Sequence, residues 1–311
     1  AALRTEVQRR GLFLEAAEMP GWFKYHDFVR DYLHSQIGGA QRSAIAGRLV
    51  AHFEALGDLR MAVEHAVEGQ LFAQAAELMS VHGGKMLLDL GWLHSYRRWL
   101  AAIPASVQAL YPLALAQLGF ALVYQRQYVD EGLRHLEQAQ PLADALDELA
   151  VHEVSLRRAM AFHLIGQPER ALPMLLTALA YRNFPLRSRI RGGLYLAAVY
   201  ARLNRLRDAS LVYRETTSLL DQLEDAAERQ MLLDVLRHNR GSGIEAVRGD
   251  FRDFEQTLQL NLQNDAGRPA TLEMDYVGCC ILHENLGEWE ALADDLRRIE
   301  SMRRQQSGDA S

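Results

Sequence analysis

A short turn pattern that returns about every 40 residues constrains the fold of this chain more than any other feature of its sequence. The pattern is a turn-forming residue, any residue, an apolar residue, two of any kind, and then a small or apolar residue. From residue 127 onwards the spacings are 39, 38, 45 and 38, and the turn residues are Gln127, Gly166, Asn204, Gly249 and Gly287. A fixed period of this length predicts stacked helical hairpins, similar to tetratricopeptide (TPR) repeats with longer helices or loops.

The stretch 159–175 is the clearest instance of the pattern. An apolar run at helical spacing ends at Gly166, and Pro168 opens a second run. Gly suits the position just past a helix end, because without a Cβ it adopts the left-handed conformation freely. Pro suits the first turn of a helix, where its missing N–H costs nothing. The predicted helix pairs are 113–126 with 129–140, 148–165 with 168–181, 186–203 with 206–221, 226–247 with 250–263, and 270–286 with 288–304.

Two further matches, at Gly57 and Gln70, lie in an earlier and less regular region. The helices predicted there are 41–56, 59–68, 71–82 and 92–102. Pro104 and Pro112 bracket the change to the regular repeats.

Composition supports an all-α chain with a sizeable core. Its 311 residues are 49% hydrophobic and include only 8 Pro, and good helix formers dominate. The net charge of −6 gives no reason to expect nucleic-acid binding by this segment. Two adjacent Cys exclude a disulfide framework and favour a cytoplasmic compartment. No apolar run approaches the roughly 20 residues of a membrane helix, so we expect no membrane association. The absence of an initiator Met suggests a piece of a longer chain.

The first 38 residues differ from the rest. Two apolar and aromatic arms, Leu12–Glu15 and Trp22–Tyr25, flank Pro20-Gly21 and predict a β-hairpin. Short helices are predicted over 1–11 and 28–37, the second capped by Asp27.

The string from Gly11 to Ile37 resembles the segment that closes the winged-helix part of large ATP-dependent LuxR-type transcription activators, the MalT-like group. The matching residues are Leu12, Phe13, Trp22, Phe23, Tyr25, His26, Phe28 and Leu33. The resemblance continues through the next helices and covers 12–140; beyond 140 the match consists of helical repeats of the right period.

The pattern and the resemblance together predict an α-α superhelix of TPR-like hairpins after a winged-helix remnant. The expected regions are the end of a winged-helix domain (1–38), a helical arm (39–108), TPR-like superhelical repeats (109–304) and a disordered tail (305–311).

The resemblance also implies a function. MalT-like activators carry an ATPase module and a LuxR-type DNA-binding helix-turn-helix, and the motifs of neither occur here. ATP and DNA would therefore be bound only by domains absent from this segment, which itself needs no cofactor. For this segment the family implies binding of a small-molecule inducer in the superhelix, coupled to ATP-dependent self-association.

Candidate ligand-binding residues follow from the repeat frame, because the first helix of each hairpin lines the concave groove of such arrays. Counting back 13, 10, 6 and 3 positions from each turn residue gives the inward face. The main candidates are Gln117, Tyr124, Glu153, His163, Arg191 and Asn239; Leu156, Met160, Leu194, Gly243, Met274, Val277 and Glu284 share the frame. A frame error of one position would rotate this face by roughly 100°. Each residue could instead belong to the core or to a solvated face.

No catalytic or metal-binding pattern stands out. His152-Glu153 and His283-Glu284 resemble the start of a zinc HExxH motif, but neither has the second His. We therefore expect no enzyme activity. The alternatives are a scaffold that binds a peptide or partner protein in its groove, and an enzyme that uses the groove as a cleft.

Overall fold

The computed structural model describes residues 14–16, 23–25, 32, 36, 38–126, 128–239, 251–264 and 269–308. The chain divides into two compact units, Ala1–Ala75 and Ala76–Ser311. The helices described are α1 (Gly39–Ala55), α2 (Leu59–Glu68), α3 (Phe72–Gly84), a π-helical turn (Lys85–Asp89), α4 (Leu93–Ala102), α5 (Ala105–Gln108), α6 (Pro112–Tyr124), α7 (Val129–Asp144), α8 (Glu148–Leu164), α9 (Pro168–Ala180), α10 (Leu186–Arg202), α11 (Leu206–Leu220), α12 (Ala226–Asn239), α13 (Phe251–Asn264), α14 (Pro269–Leu286) and α15 (Trp289–Gly308).

The first unit contains a short strand pair and the hairpin of α1 with α2. Strands β1 (Leu14–Ala16) and β2 (Phe23–Tyr25) pair antiparallel, with Leu14 opposite Tyr25. The turn between the strands, the predicted helix 1–11 and most of the predicted helix 28–37 lie outside the described residues, so the winged-helix assignment stays a prediction. In the α1–α2 hairpin, Asp58 accepts a hydrogen bond from the Met61 N–H and caps α2.

The second unit is built of successive helical hairpins: α6 packs on α7, α8 on α9, α10 on α11, and α14 on α15. This arrangement confirms the predicted TPR-like helical repeats. Upstream of them, the buried Tyr96 of α4 places its hydroxyl within hydrogen-bonding distance of the carbonyls of Met79 and Ala114, at 3.1 and 2.9 Å. The hydroxyl thereby ties α4 to both α3 and α6.

The predicted turn residues terminate their helices in the left-handed conformation. The φ angles are 74° at Gly57, 58° at Gln70, 77° at Gly166, 57° at Asn204 and 74° at Gly287. At Gly166, the N–H donates to the carbonyl of His163 and the next N–H to that of Phe162, which satisfies two carbonyls at the helix end. The predicted turn residues are thus confirmed at these positions, whereas Gly249 lies outside the described residues.

The first regular hairpin corrects the frame. The left-handed residue at the end of α6 is Arg126, with φ 57°, one position before the predicted turn residue. Helix α7 nevertheless begins at Val129, two positions after Gln127, as in the other hairpins. The turn is therefore one residue longer than in the other hairpins. Counting forward from Gln127 gives the correct start of the second helix, whereas counting back from it misplaces the residues of the first helix. The frame that selected Gln117 and Tyr124 was off by one position.

The corrected frame also accounts for close packing in this hairpin. Gly119 lies seven positions before Arg126, where the other repeats have small residues such as Ala159 and Ala197. A Cβ at Gly119 would lie 2.7 Å from the carbonyl oxygen of Gly132, so the two helices could not approach as closely.

The C-terminal end of the chain differs from the prediction. Helix α15 continues to Gly308, through part of the tail that was expected to be disordered from 305. Arg304 pairs with Glu300 one turn earlier at 2.6 Å, which favours continuation of the helix. Two shorter elements were not predicted, the π-helical turn at Lys85–Asp89 and α5 between the two prolines. Across the described residues no helix combines the length and apolar character needed to cross a bilayer.

Candidate functional site

The candidate site lies where the first helices of three successive hairpins meet. Helix α8 packs against both α6 and α10. Side chains three or four positions apart lie on the same face of a helix, which aligns the residues of α6 with those of α8 and α10. The residues that meet are Gln117, Phe120 and Tyr124 of α6, Glu153, Arg157 and His163 of α8, and Ser188, Arg191 and Tyr195 of α10.

Four of these residues form a chain of polar contacts, which we call the buried polar cluster: Gln117, Glu153, Arg157 and Ser188. Arg157 donates from Nε to Gln117 Oε1 at 3.0 Å, and Gln117 in turn donates to the Ser80 carbonyl of α3 at 3.4 Å. Ser188 donates its hydroxyl to Glu153, whose other oxygen lies 3.7 Å from Arg157 Nη1. The cluster therefore links four helices, from α3 to α10.

The buried polar cluster is shielded from water. The exposed fraction is 3% for Arg157 and 8% for Glu153. Burial lowers the pKa of Arg157 to about 10, and the positive charge of nearby Arg191 acts in the same direction, whereas Glu153 opposes it. Within the described residues, Arg157 Nη1 and Glu153 Oε2 have no hydrogen-bond partner. Buried polar atoms are usually satisfied, so this ion pair has unused hydrogen-bonding capacity.

Aromatic rings continue the site along the same helices, and we call Phe120, Tyr124, His163 and Tyr195 the aromatic wall. The Tyr195 ring meets the rings of His163 and Phe120 edge-on, with centroids 5.7 and 6.3 Å apart. Phe120 also contacts Tyr124, at 6.3 Å. Such tilted and edge-on contacts are favoured between aromatic rings.

The aromatic wall is uncharged at neutral pH. Burial lowers the pKa of His163 to about 4, and the charge of Arg202 lowers it further. Burial also raises the pKa of Tyr195 well above its ordinary value. His163 is therefore neutral, and its buried Nδ1 has no hydrogen-bond partner within the described residues.

The structure brings together five of the six main candidates that the repeat frame selected. Gln117 and Glu153 lie in the buried polar cluster, Tyr124 and His163 in the aromatic wall, and Arg191 between Ser188 and Tyr195 on α10. Asn239 ends α12, and its side chain is outside what the structure describes. Of the other residues in the frame, Leu156, Met160 and Leu194 are buried and Val277 is exposed.

Sequence reasoning missed Phe120, Arg157, Ser188 and Tyr195. Arg157 carried a signal, because it follows Glu153 by four positions, a spacing at which opposite charges pair on a helix. Ser188 lies three positions before Arg191, and Tyr195 lies four positions after it. Extending the frame by one helical turn in each direction would therefore have found both.

The last hairpin contains a separate polar contact. His283 Nδ1 of α14 lies 2.8 Å from Asp295 Oδ2 of α15, and Asp295 is buried. Cys279 is buried beside this pair, and burial with the nearby carboxylates raises its pKa to about 12. Cys279 is thus a buried core residue that keeps its proton at neutral pH. No group of three or more potential metal ligands is present among the described residues.

Stacked helical hairpins with contacts between their first helices define a TPR-like helical repeat protein. No family model matches the chain. Over 82 residues it is 38% identical to the serine/threonine-protein kinase PknK of Mycobacterium tuberculosis and of Mycobacterium bovis. The match covers 25% of this chain and 7% of the kinase, so the chain corresponds to a small part of these relatives.

Two solved structures share the fold. A Signal Transduction ATPase with Numerous Domains (STAND) protein with a tetratricopeptide repeat sensor, from Pyrococcus horikoshii, aligns with a TM-score of 0.67 over 99% of this chain and 46% of its own. A Rap protein complexed with Competence and Sporulation Factor aligns with a TM-score of 0.58 over 89% of this chain and 79% of its own. Both are 14% identical to this chain, so they show the fold alone.

Proposed function

We propose that this chain is the effector-sensing region of a larger cytoplasmic ATP-dependent regulator of the MalT-like type. The observation that carries the proposal is the meeting of charged and aromatic side chains between α6, α8 and α10, where three hairpins contribute to one site. The sequence resemblance over 12–140 supports the regulator class. The shared fold with a STAND protein that has a TPR sensor supports a sensor region.

In this proposal, a small-molecule inducer binds at the face formed by α6, α8 and α10. The site depends on the stacking of successive hairpins, so a ligand that contacts all three helices stabilises one stacking arrangement over others. An inducer shifts an equilibrium only by its difference in affinity for the two states. Tighter binding to the state that self-associates would therefore couple the inducer to ATP-dependent assembly. DNA would be contacted by another domain, and this region would have no catalytic role.

A second candidate function is a scaffold that binds a peptide or partner protein. The likeness to a Rap protein solved with Competence and Sporulation Factor favours it, because a protein that shares the fold forms a complex with such a factor. In this alternative, the same face of α6, α8 and α10 would take an extended peptide.

A thermal-shift screen of the 311-residue chain with cytoplasmic metabolites tests the proposal. A ligand at 100 times its Kd stabilises a folded protein by about 2.7 kcal/mol, which raises the melting temperature by several degrees. We expect a positive compound to lose its effect in Arg191→Ala, whose own melting temperature should stay close to that of the wild type. A different result would favour the scaffold over the sensor. In that case no metabolite shifts the melting temperature, and a peptide from a library binds the wild-type chain more tightly than it binds Arg191→Ala.

A further inference from the structure

The charges around Arg191 define the chemical class of the ligand, an inference that rests on the function proposed above. Arg191 is half-buried on α10, one helical turn from both Ser188 and Tyr195. Ser188 contacts Glu153, and Tyr195 contacts His163 and Phe120. Arg191 therefore lies on α10 between a residue of the buried polar cluster and a residue of the aromatic wall.

The site has an excess of positive charge. Arg157 and Arg191 are close enough for each charge to disfavour the other, and Glu153 is the acidic residue paired with Arg157. Among the described residues, Arg191 has no hydrogen bond or ion pair that neutralises its charge. Two arginines against one carboxylate, with the further positive charge of Arg202 near His163, leave the site with an excess of positive charge.

An aromatic surface lies next to this charge. Tyr195 is one turn along the same helix, and Phe120 of α6 contacts its ring and in turn contacts Tyr124. Tyr124 is 37% exposed, so this part of the wall is accessible to a ligand. An apolar ring of the ligand would pack against these side chains, and the neutral His163 would add no charge to this surface.

We infer that the site takes a small organic monoacid with an aromatic or apolar body, its carboxylate paired with Arg191 and its body packed against Tyr195 and Tyr124. The planar guanidinium fork matches a carboxylate in two parallel hydrogen bonds. The carboxylate would offset part of the excess positive charge. The buried ion pair of Arg157 with Glu153 would position α8 beneath the site.

Calorimetric titration with matched pairs of compounds tests this inference. The probes are 4-hydroxyphenylacetate and indole-3-acetate, each compared with its uncharged primary amide, on the 311-residue chain. We expect at least one acid to bind ten-fold or more tightly than its amide. Arg191→Gln should remove this preference, Arg191→Lys should retain part of it, and Arg189→Gln, an exposed arginine two positions away on α10, should leave it unchanged.

The outcomes separate the inference from the proposed function. Equal affinity for acid and amide, or a preference that survives Arg191→Gln, overturns the monoacid inference and leaves the sensor proposal intact. Binding of only uncharged metabolites from the thermal-shift screen has the same consequence. Failure of every small molecule to bind the folded chain overturns the sensor proposal itself. The thermal melting of each variant establishes that a lost preference is not a loss of folding.

Discussion

The central hairpins and the last hairpin use buried polar groups in different ways. Between α6 and α10, the contacts of Arg157 with Gln117 and of Glu153 with Ser188 join residues 40 and 35 positions apart, about one repeat length. In the last hairpin, His283 and Asp295 are 12 positions apart and join the two helices of the same repeat. Polar contacts in the centre therefore fix how one hairpin stacks on the next, whereas the contact at the end holds one hairpin closed.

This difference has an energetic consequence. A buried polar pair between two repeats is lost whenever their stacking changes, so it couples the stability of one repeat to that of its neighbour. Without such coupling, the stability of a repeat array is approximately the sum of the stabilities of its repeats and of their interfaces. A pair within a repeat affects mainly that repeat. The predictions below test the contrast, beginning with the largest expected effect.

Removal of Arg157 should destabilise the central hairpins most. Arg157→Ala leaves the Glu153 carboxylate buried without its partner, and such losses cost about 3–5 kcal/mol. Urea unfolding followed by circular dichroism measures the effect. The matched control is Arg158→Ala, since Arg158 is half-buried and donates to Gln140, for which we expect about 1 kcal/mol. The double variant Glu153→Leu/Arg157→Met should recover most of the loss, and an effect of Arg157→Ala no larger than that of its neighbour would contradict the structural role of the cluster.

His163 should make the stability of the central hairpins depend on pH. Its folded pKa is about 4, below the ordinary value of 6.5, so the unfolded state binds the proton more readily. The stability contribution is therefore complete above pH 6.5 and is lost as the pH falls from 6.5 towards 4. Between pH 7.5 and pH 5 this difference amounts to about 2 kcal/mol.

The variant His163→Phe keeps an aromatic ring beside Tyr195 and removes the titration. Urea midpoints of both proteins at the two pH values isolate the histidine from the carboxylates that titrate in the same range. Equal pH dependence in the variant and the wild type would show that His163 is accessible to protonation in the folded state.

Loss of the polar contact in the last hairpin should cost less. Asp295→Ala removes the acceptor of His283, which is half-buried and can bond to water instead, so we expect about 1 kcal/mol. Hydrogen exchange should show the loss in α14 and α15 alone. The control Asp294→Ala alters an exposed neighbour that pairs with Arg297, where the expected effect is near zero. Increased exchange in α8 or α10 would argue against the contrast between the two regions.

The turn residues should give the smallest effects, in opposite directions. Arg126 adopts φ 57°, which disfavours a side chain, so Arg126→Gly should stabilise the first regular hairpin by about 0.5 kcal/mol. Gly166→Ala should destabilise the next by about 1 kcal/mol. A Cβ at Gly166 would meet no atom within 4 Å, so this cost is purely conformational. A stabilising Gly166→Ala would mean that the turn is not constrained to the left-handed conformation.

The repeat frame selected five of the nine residues of the candidate site, because the three-to-four residue period of a helix carries spatial information. Glu153, His163 and Arg191 were selected from the correct turn residues. Gln117 and Tyr124 were selected with a frame that was one position wrong, and they belong to the site because α6 contributes several adjacent positions to it. Arg157 was missed because nothing in the local sequence shows that a single charged residue of a helix is buried. Its burial depends on helices that lie 30 to 40 positions away in the sequence.

The sequence by itself determined the helices, the turns between them and the period of the repeat, because these depend on local backbone preferences and on the spacing of apolar side chains. Only the tertiary structure decided which polar groups meet, because the contacts between α6, α8 and α10 depend on how successive hairpins stack. The extra residue in the turn at Arg126 illustrates the difference. It leaves the local pattern of both helices unchanged, yet it rotates the first helix by about 100° relative to the repeat frame.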